Sequence, residues 1–191
     1  MNGIMKVALR LIIITAVAGL LLGLTYSVTK DPIARQEELN KKEARQTVMP
    51  DADDFREIDL GSLSLSEEYG NVLEAYYAVS GGENIGATVT VVTKGYSSGL
   101  QVTVGVRSDG TVSGVNIDAH DETPGLGAKG DDPEYLSQYS GKTAPLNVVK
   151  VSSGADDEIQ ALTGATLTSK GVCGAVNLAC SLYSDILSEG V

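Results

Sequence analysis

A chain of 191 residues has room for one membrane anchor and one ordinary domain. Its formal charge of -11 is uneven: residues 1–30 hold Lys6, Arg10 and Lys30 and no acid, so they carry +3 and the remainder carries -14. An acidic domain with one Phe and no Trp argues against nucleic acid and anionic lipid as partners and offers no base-stacking platform.

The run Leu11–Val28 contains no charged residue. As a helix it rises about 27 Å, close to the ~30 Å hydrocarbon core of a bilayer, and Val7 to Leu9 can extend it. Arg10 can snorkel to the interface. With Lys6 and Arg10 ahead of the span and Lys30 followed at once by Asp31, the positive-inside rule predicts a cytoplasmic N-terminus. The alternative, a cleaved signal peptide, has a run too long for it, no convincing small-x-small site and no lipobox cysteine.

Residues 31–50, bounded by Pro32 and Pro50, read as a solvated helix or stalk, and Asp51–Glu68 as a mixed acidic stretch without calcium-loop spacing. The expected division is therefore 1–30 tip and anchor, 31–70 stalk, 71–191 domain. From Leu73 the pattern becomes strand-like. Ala75–Ser80, Ala87–Lys94, Leu100–Arg107 and Thr111–Ile117 are β-branched and often alternate, separated by Gly81-Gly82, Gly95–Gly99 and Asp109-Gly110. Asn147–Val151 is a further short strand, and the small, apolar run Gly171–Leu187 is a helix. This pattern predicts an α+β class domain, an antiparallel sheet packed against helices. Cys173 and Cys180 lie seven residues apart on that helix, a rise of roughly 10.5 Å. That exceeds the ~7 Å reach of a disulfide, so they read as small buried hydrophobes.

Three stretches carry chemistry. Gly95-Tyr96-Ser97-Ser98-Gly99 matches the G-x-S-x-G of a hydrolase elbow, but a strand follows where that motif needs a helix, and His120 is the single histidine. A glycine-rich hairpin is the better reading. His120-Asp121-Glu122-Thr123-Pro124-Gly125-Leu126-Gly127 offers too few ligands for a closed metal site and otherwise reads as a surface turn. Leu162-Thr163-Gly164-Ala165-Thr166-Leu167-Thr168-Ser169-Lys170 puts four hydroxyls just ahead of the predicted helix, where bare N–H groups and the helix dipole favour an anion. Ser169 is the expected N-cap, and a capped helix start with no further role is the plain alternative.

Thr163-Gly164-Ala165-Thr166 with Leu167-Thr168-Ser169 resembles the [Ser/Thr]-Gly-Ala-Thr signature of covalent FMN-binding domains. That family includes the G subunit of Rnf ion-translocating electron-transport complexes and the C subunit of the sodium-pumping NADH:quinone reductase. Glu122 to Gly127 resembles the Glu-Thr-Pro-Gly-Leu-Gly loop of the same family. One departure is Gln160, where many members have Asp. The resemblance implies FMN joined by a phosphodiester to Thr166 and installed by a flavin transferase. It places Thr163, Gly164, Ala165, Leu167, Thr168 and Ser169 at the cofactor, with Thr168 and Ser169 on the phosphate side, and Glu122, Thr123, Leu126, Gly127 and Tyr96 around the ring. Lys150, otherwise a solvated lysine, would favour reduced, anionic flavin if it reached the ring edge.

The expectation is a single-pass subunit of the cell (inner) membrane with its FMN domain outside. It would relay electrons among the other membrane and peripheral subunits of an Rnf-type ferredoxin:NAD oxidoreductase, with no metal and no stand-alone catalysis. The alternatives are the equivalent quinone-reductase subunit and a cofactor-free, membrane-anchored scaffold or adhesion domain.

Overall fold

The computed structural model describes residues 3–63 and 65–190; Met1, Asn2, Ser64 and Val191 lie outside the described residues. The chain forms two compact units, one up to Lys41 and one from Lys42 onward.

The first unit is helix α1, Gly3–Val48, whose last seven residues, about two turns, belong to the second. It is long and apolar enough to cross a membrane. Thr15, Thr25 and Thr29 donate their hydroxyls to the carbonyls of Leu11, Leu21 and Thr25 at 3.0, 2.9 and 2.9 Å. Hydrocarbon offers no partner, so polar groups there must be satisfied within the helix. Contrary to the sequence reading, Pro32 bounds nothing: the helix runs through it. A proline without an N–H forfeits one bond, to the carbonyl four residues back, which a long helix can absorb. The helix stops at Val48, where Met49 N–H still reaches the Arg45 carbonyl at 3.0 Å and Pro50 follows.

In the second unit, five antiparallel strands form a meander in the order β1-β2-β3-β4-β5: Asp54–Glu57, Val72–Ser80, Glu83–Lys94, Ser98–Arg107 and Val112–Ala119. All four strands expected between Ala75 and Ile117 are present. The β4–β5 turn is built on Asp109-Gly110: Gly110 sits at φ +81° and Asp109 Oδ1 accepts from Thr111 N–H at 2.9 Å. β1 carries no strand signal of its own and forms by pairing with β2.

Alternation along the strands gives the sheet two faces. Ala87, Val89 and Val91 of β3 and Leu100, Val102, Val104 and Val106 of β4 form one, fully covered by helix α3, Thr166–Asp185, through Val172, Ala175, Val176, Ala179 and Leu182. The other face receives the end of α1. Gly105 and Gly114 are register partners on β4 and β5, and Val48 lies flat against both: a Cβ at Gly105 would stand 2.4 Å from the Val48 carbonyl oxygen. Arg45 lies 4.0 Å over the Tyr76 ring and 3.4 Å from the Glu74 carboxylate. Short helix α2, Pro133–Ser137, and a parallel pair, β6 (Asn147–Val149) with β7 (Glu158–Gln160), lead the chain to α3.

Candidate functional site

Three chain segments meet where α3 begins. The turn after β3 brings Tyr96; the loop after β5 brings Glu122, Thr123, Leu126 and Gly127; and Gly164 to Thr168 turn into the helix. They line a cleft of about 440 Å³, within the ~300–1,000 Å³ of small-molecule sites. From Lys42 onward, five large apolar side chains are exposed among the described residues. Three of them, Tyr96 at 71%, Leu167 at 55% and Leu126 at 48%, border this one cleft. That concentration suits a flat apolar ligand.

The helix start differs from the sequence reading. α3 begins at Thr166, five residues before Gly171, and Ser169 is not its N-cap. Ala165 holds the cap position and makes no side-chain capping bond. Ser169 is buried one turn in, where its Oγ accepts from Leu162 N–H at 3.0 Å and donates to the Ala165 carbonyl at 3.1 Å. This pair of bonds ties the preceding loop to the helix and lets the helix start earlier. Gly164, at φ +80°, makes the sharp entry, and Leu126 Cδ2 stands 3.2 Å from where a Cβ would be. The first-turn N–H groups have no acceptor within the helix, and the half-buried Thr166 stands among them on the cleft wall. A phosphate placed there meets bare donors and the positive end of the dipole.

Behind the wall sits a carboxylate. Glu122 is 5% exposed; Oε1 accepts from Ser97 N–H at 3.0 Å and Oε2 from the Thr168 hydroxyl at 2.8 Å. Gly95 and Gly127 close flat upon it, since a Cβ at either would stand 2.3 Å from a Glu122 oxygen. His120 Nδ1 accepts from Glu122 N–H at 3.1 Å, and its Nε2 faces Asp131 Oδ2 at 2.9 Å. With Nδ1 an acceptor, the ring proton belongs on Nε2, pointing at Asp131.

Of the residues singled out in the sequence, Tyr96, Glu122, Thr123, Leu126, Gly127, Gly164, Ala165, Thr166, Leu167 and Thr168 come together here. Ser169 lies behind the wall. Thr163 is exposed and lines a neighbouring cleft with Asp132 and Glu134. Lys150 is exposed, one residue past β6, and is not on the cleft. Gly95–Gly99 turns out of β3 and runs directly into β4, with no helix after it, which rules out a nucleophile elbow. Ser97 and the buried role of Glu122 had no local signal: Glu122 and Thr168 are 46 residues apart.

An apolar-walled cleft ending on a bare helix terminus, in a chain led by a membrane-length helix, fits an anchored domain that binds a flat, phosphate-bearing ligand. Residues 95–181 match the FMN-binding domain family, and residues 1–48 match the RnfG N-terminal region. The G subunit of the Na⁺-translocating ferredoxin:NAD⁺ oxidoreductase complex of Acetobacterium woodii is 37% identical over 96% of this chain and 93% of its own length. Its counterpart in the proton-translocating complex of Clostridium ljungdahlii is 32% identical over 92% and 89%. The chain belongs to the G-subunit family of Rnf-type ion-translocating oxidoreductase complexes. The C subunit of the Na⁺-translocating NADH-quinone reductase of Parabacteroides distasonis shares the fold, with a TM-score of 0.61 at 20% identity over 81% of this chain and 95% of that one.

Proposed function

We propose that this chain carries FMN joined through its phosphate to the Thr166 hydroxyl, and passes electrons between other subunits of a membrane complex that links ferredoxin and NAD to ion movement. The observation that carries this reading is the position of Thr166: first residue of an uncapped helix, with its side chain on the wall of an apolar cleft. FMN, when bound, supplies one- and two-electron transfer. The chain's residues hold it: the first-turn N–H groups take the phosphate, and Leu126, Leu167 and Tyr96 cover the ring and exclude water. A flavin transferase makes the attachment. The Thr166 Oγ–P bond forms, the P–O bond to the donor's leaving group breaks, and the hydroxyl proton goes to solvent.

The anchor holds the chain in the cell (inner) membrane, with the N-terminus in the cytoplasm and the FMN domain outside, as Lys6 and Arg10 ahead of the uncharged span favour. Relatives in this family are named for both sodium and protons. Full-length likeness to G subunits favours the Rnf-type complex over the quinone reductase, and the apolar rim favours a cofactor over a bare scaffold.

Co-expression with an active flavin transferase tests this. The full-length chain should give a flavin-fluorescent band that survives a denaturing gel, and Thr166→Ala should abolish it. A dark wild-type band, with the transferase active on another substrate, would overturn the covalent assignment.

A further inference from the structure

The first turn of α3 lacks a cap, yet it must present Thr166 in one orientation. Ala165 contributes no capping side chain, and an uncapped helix end is prone to fray. What fastens the turn comes from elsewhere in the chain. Thr168, two residues after Thr166, is 1% exposed and donates to Glu122 Oε2 at 2.8 Å. The other oxygen of that carboxylate holds the N–H of Ser97, beside Tyr96. Glu122 thus spans all three segments of the cleft: it belongs to one and is bonded to the other two. Glycines at 95 and 127 leave its oxygens no space to shift. The backbone N–H of Glu122 is fixed in turn on His120, whose far nitrogen faces Asp131. Among the described residues Glu122 has no cationic partner, so its surroundings are two hydrogen-bond donors and the positive end of a helix.

We propose that Glu122 is the positioning residue for cofactor attachment, a buried clamp that acts through Thr168 to hold the first turn of α3 and the Thr166 hydroxyl in register with the cleft. The proposal rests on Thr166 being the attachment site, but the clamp itself belongs to the chain before any flavin arrives. Removing the carboxylate frees the Ser97 and Thr168 donors together. It also releases Tyr96 from the helix end, so the hydroxyl and the ring-binding wall lose their mutual register. An amide restores part of this: Gln at 122 can accept from Ser97 N–H through its oxygen while its nitrogen donates to Thr168 Oγ.

The test uses the full-length chain in detergent, with Glu122→Ala, Glu122→Gln and Thr168→Val as variants. Amide hydrogen exchange is followed first, on the flavin-free chain. Glu122→Ala and Thr168→Val should speed exchange at residues 95–97 and 166–169 while the β3–β4 ladder stays protected; Glu122→Gln should change it little. Transferase labelling is then measured against chain concentration. Loss of positioning lowers kcat by about tenfold, the scale of one buried hydrogen bond left unmade, and leaves KM nearly unchanged. Glu122→Gln should recover most of kcat. A chain that is merely less folded would show a raised KM with kcat intact, and that result would overturn the proposal. So would wild-type kcat in Glu122→Ala despite faster exchange. If the wild-type chain takes no label, the attachment reading fails instead, and the exchange arm still decides whether the clamp exists.

Discussion

Cys173 and Cys180 are held as thiols by burial, which pushes each up to about 11 from an ordinary 9.0, and Cys173 also donates to the Leu146 carbonyl at 3.3 Å. Neither is a nucleophile at neutral pH, because the thiolate is the reactive form. In the native chain at pH 8, a thiol reagent should react slowly, and denaturant should release two fast equivalents. The same shifts have a signed effect on stability. A group whose folded value is raised contributes stability that is complete below its unfolded value and is lost as pH rises through the folded one. The domain should therefore melt at constant temperature up to about pH 9 and progressively lower between 9 and 11. Tyr69 adds to the loss up to about 12, raised first by burial and then by its 2.6 Å bond to Asp185. A melting temperature that stays flat from pH 9 to 11 would show that these groups are not buried in solution.

Two glycines, one where α1 seats on the sheet and one on the open face of α3, have opposite sensitivities. At Gly105 a methyl group would meet the Val48 backbone oxygen at 2.4 Å, and backbone cannot rotate aside as a side chain can. Gly105→Ala should destabilise the domain by about 1–3 kcal/mol, the range for overpacking a filled site. Gly174 lies inside α3, exposed, with nothing within 4 Å of its would-be Cβ. Gly174→Ala should stabilise by roughly 0.5–1 kcal/mol, the helix preference for alanine. Denaturant melts of the two variants check both signs. These elements also mark how far the sequence could be read. Strands β2 to β5 were legible because alternation and glycine turns are local, and the anchor because eighteen uncharged residues are unmistakable. β1 was not, since four mixed residues become a strand only against β2. Nor was the true start of α3: the hydroxyls of Thr166, Thr168 and Ser169 look like a cap, but two of them bond to distant or preceding backbone and side chains. The cleft was legible as two resembling motifs, and its geometry was not, because Glu122 joins segments 25 and 46 residues away.

At the scale of the whole molecule, the charge distribution supports the proposed side of the membrane for the domain. The span is uncharged from Leu11 to Val28, with Lys6 and Arg10 before it, while the chain beyond residue 30 carries -14. Basic residues are retained on the cytoplasmic side during insertion, whereas acidic residues hardly oppose transfer. On the proposed topology, the single span leaves the flavin domain outside. Protease added to intact spheroplasts should digest residues beyond Lys30 and leave the tip through Arg10 protected. Moving the bias should move the chain: Lys6→Glu with Arg10→Gln removes the retained charge, and Lys or Arg in place of Asp31 and Glu37 adds it on the far side. That combined variant should yield a protease-resistant fraction where the wild type yields none. Complete protection of the wild-type domain, with a known outer protein degraded in the same sample, would reverse the topology and place the flavin site in the cytoplasm.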